Sequence, residues 1–400
     1  MVRLEDMFEA YYDCRRRKRR SVDSLGFEVD YERNLVVLCD EINAHQYRPS
    51  TSVTFVVNRP LYREVFAAAF RDRVVHHYIA LRLEPILERQ FTDRTFNCRR
   101  GKGAFYGIKQ LEKDIKECSS IYTEDCYVLK MDIKSFFMSI PKDLLNERMD
   151  KFIVDNYSGE DKEDLRYLSA ITILHHPEEN CEKHSPDSLW GFLPKNKSLF
   201  TNDYDRGIAI GNLTSQLDAN FFMDPFDHWL EETLGFRYHG RYVDDFYIVD
   251  KSKDRLIKAI SIIRKKLKED FELTLHPDKV YLQHYSKGVK FTGSVVKPGR
   301  IYVGNRTISS FRQLINRMNH FEGNITILRS CVAGLNSYFG LMVHADSYAL
   351  RRRIARMISP ECWKYIYVSG HFDKFVLKKR YCEINGFMCK IKKGGKNAFD

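Results

Sequence analysis

The sequence predicts an α+β fold. Between residues 127 and 296 the hydrophobic pattern runs strand, helix, hairpin, helix, strand, an order in which helices back a small sheet. Two acids, Asp244 and Asp245, stand side by side at the tip of that hairpin. Past residue 300 the pattern follows the helical period and the charge turns basic.

Composition bounds what such a chain can be. With 400 residues, 44% of them hydrophobic, it can bury a substantial core and form two or three subdomains. A net charge of +11 with 13% aromatic residues points to a polyanionic partner whose bases stack on rings. Residues 301–400 hold 17 Lys and Arg against 6 Asp and Glu, so a basic module follows a body of no net charge. The ten cysteines form no Cys-x-x-Cys pair and no secretory apolar segment is present, which fits reduced thiols in a cytosol. No stretch approaches the ~20 apolar residues of a membrane span. His175, His176, Cys181 and His184 lie within ten residues, but their spacing matches no common zinc finger, and they read as loop residues.

Taken in order, residues 1 to 20 open as an amphipathic helix with Leu4, Met7, Phe8 and Tyr11 inward and close in six cations, Arg15 to Arg20. Such a run cannot be buried; it solvates a helix end or contacts phosphates. The helical period returns from Glu28 to Asn43 and breaks at Tyr47-Arg-Pro49. Val53 to Val57 predicts a strand, and Arg59-Pro-Leu-Tyr-Arg63 leads into another at Glu64 to Phe66. A helix follows with Phe70, Val74, Tyr78, Leu81 and Leu83 inward, and its Arg71, Arg73, His76 and His77 read as structural. Arg99-Arg-Gly-Lys-Gly103 is a basic turn, either solvated or placed where backbone approaches a sugar-phosphate chain.

Tyr127 to Asp132 reads as a buried strand that ends in an acid beside Phe136 and Phe137. An unpaired acid is a poor core residue, so Asp132 is a candidate third carboxylate. Residues 155 to 205 are polar and punctuated and predict an insertion loop, anchored by Trp190 to Leu193 and Ser198 to Phe200. Gly207 to Gln216 then places glycines and the capping candidates Asn212, Thr214 and Ser215 before an apolar helix with Leu217, Phe221, Phe222 and Phe226. Backbone donors at such a helix start hold phosphates or sugars.

Arg241-Tyr-Val-Asp-Asp-Phe246 lies between two alternating runs, Gly235 to Tyr242 and Phe246 to Asp250, and reads as a hairpin. Aspartate tolerates the positive φ such a turn requires. Two like charges on one tip repel, which points to a bound cation, and oxygen-only ligation points to magnesium. Behind the hairpin come a helix from Asp254 to Asp270 and a strand pair at Val280 to Leu282 and Val289 to Val296. The remainder reads as helical. Phe311, Leu314, Ile315, Met318 and Phe321 form one core-facing stripe, and Ile325, Leu328, Val332, Leu335 and Phe339 another, leaving Arg351-Arg-Arg353, Arg356 and Lys378-Lys-Arg380 outside.

In this order, Arg63, Arg99 to Gly103, Asp132 with Phe136-Phe137, Gly211 to Gln216, Tyr242-Val-Asp-Asp245, Lys279 and Phe291-Thr-Gly293 resemble the motif series of reverse transcriptases, nearly end to end. Within that superfamily, which includes the group II intron enzymes, Ile210-Gly-Asn-Leu-Thr-Ser-Gln216 and Phe70-Arg-Asp-Arg-Val-Val-His-His77 resemble the enzymes of diversity-generating retroelements. Retron and group II intron enzymes usually carry a Pro-Gln-Gly or related segment where this chain has Ala209-Ile210-Gly211.

The resemblance implies a right-hand polymerase. Its parts would be a basic N-terminal helix and fingers at 1–126, a ferredoxin-like palm bearing the hairpin at 127–300 with the insertion loop 155–205, and a basic helical thumb at 301–400. It implies attack of a primer 3′-hydroxyl on the α-phosphate of a deoxynucleotide, assisted by two magnesium ions about 4 Å apart, for which manganese substitutes. Asp132 and Asp244 would bridge the ions, Asp245 would lie nearer the primer end, and Asp245 and Ile133 would complete the metal set. Arg63 and Arg59 would neutralise the triphosphate, and Ile133, Phe136, Phe137, Ile210, Gly211 and Gln216 would complete the nucleotide pocket. Phe137 stacks under the sugar and excludes a 2′-hydroxyl, or is a core aromatic. Lys279 donates a proton to pyrophosphate or screens charge. Arg99, Arg100, Lys102, Arg351, Arg352 and Arg353 would contact nucleic acid.

The implied partners are a structured template RNA, a DNA or RNA primer and a small basic accessory protein, in a bacterial or phage-encoded cytoplasmic setting without membrane. The implied product is complementary DNA with errors at template adenines that diversify a target gene. Ile210 offers contact but no directed hydrogen bond to the incoming nucleotide, which weakens discrimination against mispairs. The alternatives are a host-defence or intron-type reverse transcriptase, or a non-polymerising RNA-binding protein on the same scaffold. Three intact aspartates argue against the last; Ser215-Gln216 and the short C-terminal part argue against the intron type.

Overall fold

The computed structural model describes residues 1–16, 21–58 and 61–378, which fall into two compact units that divide between His284 and Tyr285. The first unit contains strands β1 (Ser52–Val57), β2 (Arg63–Ala67), β3 (Tyr127–Asp132), β4 (Cys181–Lys183), β5 (Tyr238–Tyr242), β6 (Asp245–Asp250) and β7 (Tyr281–His284). Four of them form an antiparallel sheet in the order β5-β6-β3-β7. The first of these strands in the chain thus lies between the third and the fourth, the ferredoxin-like arrangement expected of the palm. The chain is α+β.

Phe246, Tyr247, Ile248 and Val249 of β6 are all buried, because both faces of the sheet are covered. On one face Phe226 of helix Leu213–His228 meets Phe246 edge-on at 5.4 Å. Helix Lys253–Asp270 buries Leu256, Ala259, Ile263 and Leu267, spaced by three and four, and begins where Ser252 Oγ accepts from the Arg255 backbone N–H. On the other face Tyr247 Oη donates to Asp114 Oδ2 of helix Ala104–Cys118 at 2.7 Å.

The remaining strands of this unit form a second sheet, β2-β1-β4, with β4 parallel to β1. That pairing corrects the expected loop at 155–205. The segment contains helix Lys162–Leu174, which buries Leu165, Leu168 and Ile173, three apolar positions that its overall polarity hides. Its later part is pinned by one carboxylate: Trp190 Nε1, Ser198 Oγ and the Leu199 N–H all donate to Glu64 of β2, at 2.7, 2.6 and 2.7 Å. Glu64 is buried, and desolvation raises its pKa against those three donors. The single helix expected from Glu28 to Asn43 is instead a pair, Val22–Glu28 and Tyr31–Asn43.

In the second unit, β8 (Val289–Phe291), β9 (Ser294–Lys297) and β10 (Arg300–Val303) form a meander. The expected strand pair between 280–282 and 289–296 is therefore absent: β7 pairs with β3, and β8 with β9. Helices Asn305–Asn319 and Ile325–Met342 bury their predicted stripes against each other. The expected all-helical remainder includes a hairpin, β11 (Ile366–Ser369) with β12 (Lys374–Leu377), whose Phe375 stacks on Phe339 at 4.8 Å. Arg351, expected outside, is 6% exposed; it donates to the Phe372 carbonyl and pairs with Asp373 Oδ1 at 2.7 Å.

One buried ion pair ties the hairpin to the helix before it. Arg241, 1% exposed, donates through Nε to Asp227 Oδ1 at 2.9 Å and through Nη2 to Asp227 Oδ2 at 2.6 Å, and Thr95 Oγ1 donates to the same Oδ2 at 2.6 Å. Removing one partner leaves the other as an uncompensated buried charge. Asp227→Ala should therefore lower the stability of the first unit by about 3–5 kcal/mol. Urea unfolding followed by fluorescence checks this, and a loss within experimental error would show that Arg241 finds water or another partner.

Candidate active site

The site is built where the end of β3 meets the turn between β5 and β6. Asp132 ends β3 directly opposite Asp245, the first residue of β6, so both side chains leave the same face of the sheet. Asp244 is the turn residue before it. The left-handed φ that the sequence assigned to aspartate falls on Val243, at +60°. A β-branched residue does not adopt that conformation without support. Support comes from three hydrogen bonds: the Val243 N–H donates to Asn97 Oδ1 at 2.9 Å, Arg241 Nη1 donates to the Val243 carbonyl at 3.2 Å, and the Ile133 N–H donates to the Asp244 carbonyl at 3.0 Å. Asn97 is itself held by Asn220, through Nδ2 to Oδ1 at 2.6 Å and a return bond to its carbonyl at 2.8 Å.

Each of two acids faces an ammonium. Lys279 Nζ lies 2.9 and 3.0 Å from the two oxygens of Asp132, and Lys130 Nζ lies 2.9 Å from Asp245 Oδ1. Burial pushes Asp245 up to about 6 even with Lys130 beside it. Burial and the charge of Asp132 also raise Asp244, opposed by Lys279 and by Arg63, which is exposed at the start of β2. Among the described residues, no three His, Cys, Asp or Glu side chains are arranged to hold a metal ion as they stand. The donor chemistry nevertheless fits one. Three carboxylates share one tip, and the ammonium of Lys279 on Asp132 is one that a divalent ion can replace.

The residues expected around a nucleotide divide. Ile133 and Phe136 have their side chains in the core, at 0% and 2% exposure, so only their backbones can face the site. Phe137 is half-buried, edge-on to Phe136 at 5.5 Å. The Ile210 carbonyl accepts from the Phe66 N–H at 2.9 Å, and the Ile210 side chain packs on the small cluster of Phe66, Met138 and Leu199. Gly211 is required by that approach: at φ +132° a Cβ would lie 2.3 Å from the Phe66 carbonyl oxygen. Gln216 Oε1 accepts from the Cys98 thiol at 3.3 Å. Arg59 lies outside the described residues, as do residues 17–20 of the N-terminal basic run and Lys379 and Arg380.

Three of the cations expected on nucleic acid are engaged internally. Arg99 is 8% exposed and donates to Glu88 and to the Thr95 carbonyl; Lys102 pairs with Asp93 at 3.0 Å; Arg351 is buried as described. Arg100, Arg352 and Arg353 are exposed. His176 stacks on Tyr204 at 3.8 Å and His184 lies 3.6 Å from Glu182, whereas Cys181, expected in a loop with them, begins β4. Among the described residues the cysteines form no disulfide, and no helix is long and apolar enough to cross a membrane.

The sequence reading missed Lys130, Asn97, Asp227 and Asp218. Lys130 was visible in the two-residue period of β3, and the acids Asp218, Asp224 and Asp227 were visible as charges in an otherwise apolar helix. Asp218 is 4% exposed and lines a cavity of about 20 Å³, room for one water, beside Asp72, His76, His175 and Ser215. Burial alone pushes it up to about 8. The folded state thus keeps its proton while the unfolded chain loses it near the ordinary carboxylate pKa, so stability falls as pH rises between about 4 and 8. Asp218→Asn removes that dependence. Its thermal midpoint should exceed that of the parent by more at pH 8 than at pH 5, and equal differences at both pH values would count against a neutral Asp218.

Three comparisons place these features among known proteins. The family model for reverse transcriptase (RNA-dependent DNA polymerase) matches residues 59–296, more than half of the chain. Protein YkfC of Escherichia coli (strain K12) is 21% identical over 336 residues, covering 74% of this chain and 79% of that protein. Among solved structures, telomerase from Candida albicans in complex with a fragment of telomeric RNA superposes with a TM-score of 0.46 at 10% identity, over 79% of this chain. Apo telomerase from Candida tropicalis gives 0.44 at 12% identity over 77% of this chain, and the chain spans 60% of the length of each telomerase. With the family model matched through the strand that carries Asp132 and the hairpin that carries Asp244 and Asp245, the chain belongs to the reverse transcriptase family of RNA-dependent DNA polymerases.

Proposed function

We propose that this chain copies an RNA template into DNA at the tip formed by β3, β5 and β6. The observation that carries the reading is the grouping of Asp132, Asp244 and Asp245 at one end of one sheet, with Arg63 near Asp244. Asp132 and Asp244 would hold divalent magnesium, or manganese in its place, with Asp245 nearer the primer end. Bound there, the ions would polarise the α-phosphate and lower the pKa of the primer hydroxyl. The protein's own groups orient the reactants. Arg63 and Arg59 neutralise the triphosphate, Phe137 bounds the sugar, and the backbone of Gly211 lies along the nucleotide. Lys279, released from Asp132, would donate a proton to the departing pyrophosphate or screen its charge. Arg100, Arg352 and Arg353 supply exposed charge toward nucleic acid.

The direct test is primer extension on an RNA template by the purified protein. Asp244→Asn keeps the side-chain volume and removes the charge. It should abolish metal-dependent synthesis while leaving RNA binding nearly intact, and residual synthesis above about a tenth of the parent rate would refute the assignment.

Within this activity the finer reading is mutagenic copying of a structured template RNA in a bacterial or phage-encoded diversity-generating system, with a small basic accessory protein. Its support is the segment Ile210 to Gln216, where an aliphatic side chain stands in place of a polar one. A missing directed hydrogen bond removes a geometric check worth about 0.5–1.5 kcal/mol between a correct pair and a mispair. Errors should concentrate at template adenines, and Ile210→Gln should reduce them. Sequencing complementary DNA made by both proteins from one adenine-containing template checks this; equal error rates at all four template bases in the parent would defeat it.

A further inference from the structure

We propose that Lys130 is a built-in counter-ion of Asp245, and that it reserves Asp132 and Asp244 as the carboxylates open to divalent cations. Lys130 stands two residues before Asp132 on β3, so the two side chains leave the same face of the sheet. On β6, Asp245 lies opposite Asp132 and Tyr247 opposite Lys130, which makes Lys130 the diagonal neighbour of Asp245 across an antiparallel pair. The ammonium lies 2.9 Å from Asp245 Oδ1, with the two side chains 20% and 19% exposed.

Lys279 supplies the contrast. Its side chain is 45% exposed, and it reaches Asp132 from the segment before β7 rather than from the sheet itself. An ammonium with that access can exchange its carboxylate for water at little cost. Lys130 is attached to a central strand and mostly covered, so leaving Asp245 would strand two partly desolvated charges. An arriving cation therefore displaces Lys279 and leaves Lys130 in place. Lys130 touches neither substrate nor metal in this scheme. It is a positioning residue that lowers the net negative charge of the tip by one and turns Asp245 toward β3.

This inference rests on the metal-dependent reading above, and lysine acylation of the full chain by an N-hydroxysuccinimide ester, read by mass spectrometry across a magnesium titration, separates the two. Magnesium should raise labelling of Lys279 several-fold while Lys130 stays poorly labelled throughout. If Lys130 labelling rises together with that of Lys279, the inference falls and the metal reading stands. If neither lysine responds, the metal reading falls and the inference with it. A second measurement is manganese binding to the free protein by electron paramagnetic resonance. Lys130→Met should tighten the Kd about tenfold by freeing a third carboxylate, whereas Lys130→Arg should leave it unchanged. An unchanged Kd in a folded Lys130→Met protein would overturn the inference.

Discussion

The buried pair of Arg241 and Asp227 sets the position of everything near the hairpin tip. Asp227 sits near the end of helix Leu213–His228, Arg241 sits in β5, and the same guanidinium also holds the carbonyl of the turn residue Val243. One side chain thereby fixes both the height of the hairpin against the helix and the conformation of its tip. Segment 94–98 closes the arrangement. The Phe96 N–H donates to the Arg241 carbonyl at 2.9 Å, the Arg241 N–H to the Arg94 carbonyl at 2.8 Å, and Asn97 reaches both Val243 and helix residue Asn220. Beyond the ammonium groups of Lys279 and Lys130, the acids have little to hold them in place except this frame. A carboxylate tip that must accept cations cannot also be stabilised by permanent strong partners on every oxygen, so its geometry is imposed from behind.

Much of the frame was legible. The strands around Asp132 and around Asp244-Asp245, the helix after Ser252 and the apolar stripes of the second unit follow from periodicity that burial then enforces, because each has one apolar face and one core to meet. The strand order was legible through the same pattern, since a strand, helix, hairpin, helix and strand close most simply into a ferredoxin-like sheet. The three acids were visible because unpaired carboxylates beside aromatic runs have no structural use.

What escaped notice was of a different physical kind. Arg99 and Arg351 sit in runs of cations that look solvated, yet each is internal, because an arginine can satisfy several carbonyls at once and a one-dimensional reading does not show where those carbonyls are. Lys102 is drawn to Asp93, nine residues away, in the same manner. Gly211 was read as a place where a nucleotide comes close. The backbone of β2 already occupies that approach on one side, so the glycine has a structural reason that stands beside any functional one. Helix Lys162–Leu174 was hidden by its polar surroundings, because three buried apolar positions in thirteen do not dominate a composition.

The left-handed Val243 bears on the order in which the chain acquires its form. Two-residue hairpin turns that close early carry asparagine, aspartate or glycine at the positions of positive φ, since those residues reach the conformation unaided. Valine does not, and here its N–H is held by Asn97, 146 residues away along the chain. The turn therefore cannot nucleate β5 and β6; it is completed after segment 94–98 and helix Leu213–His228 have come together, a long loop closure of the kind that slows folding. The part of the molecule with the most exacting geometry is, on this account, among the last to be made. Newly synthesised chains would have a formed core before they had a usable tip.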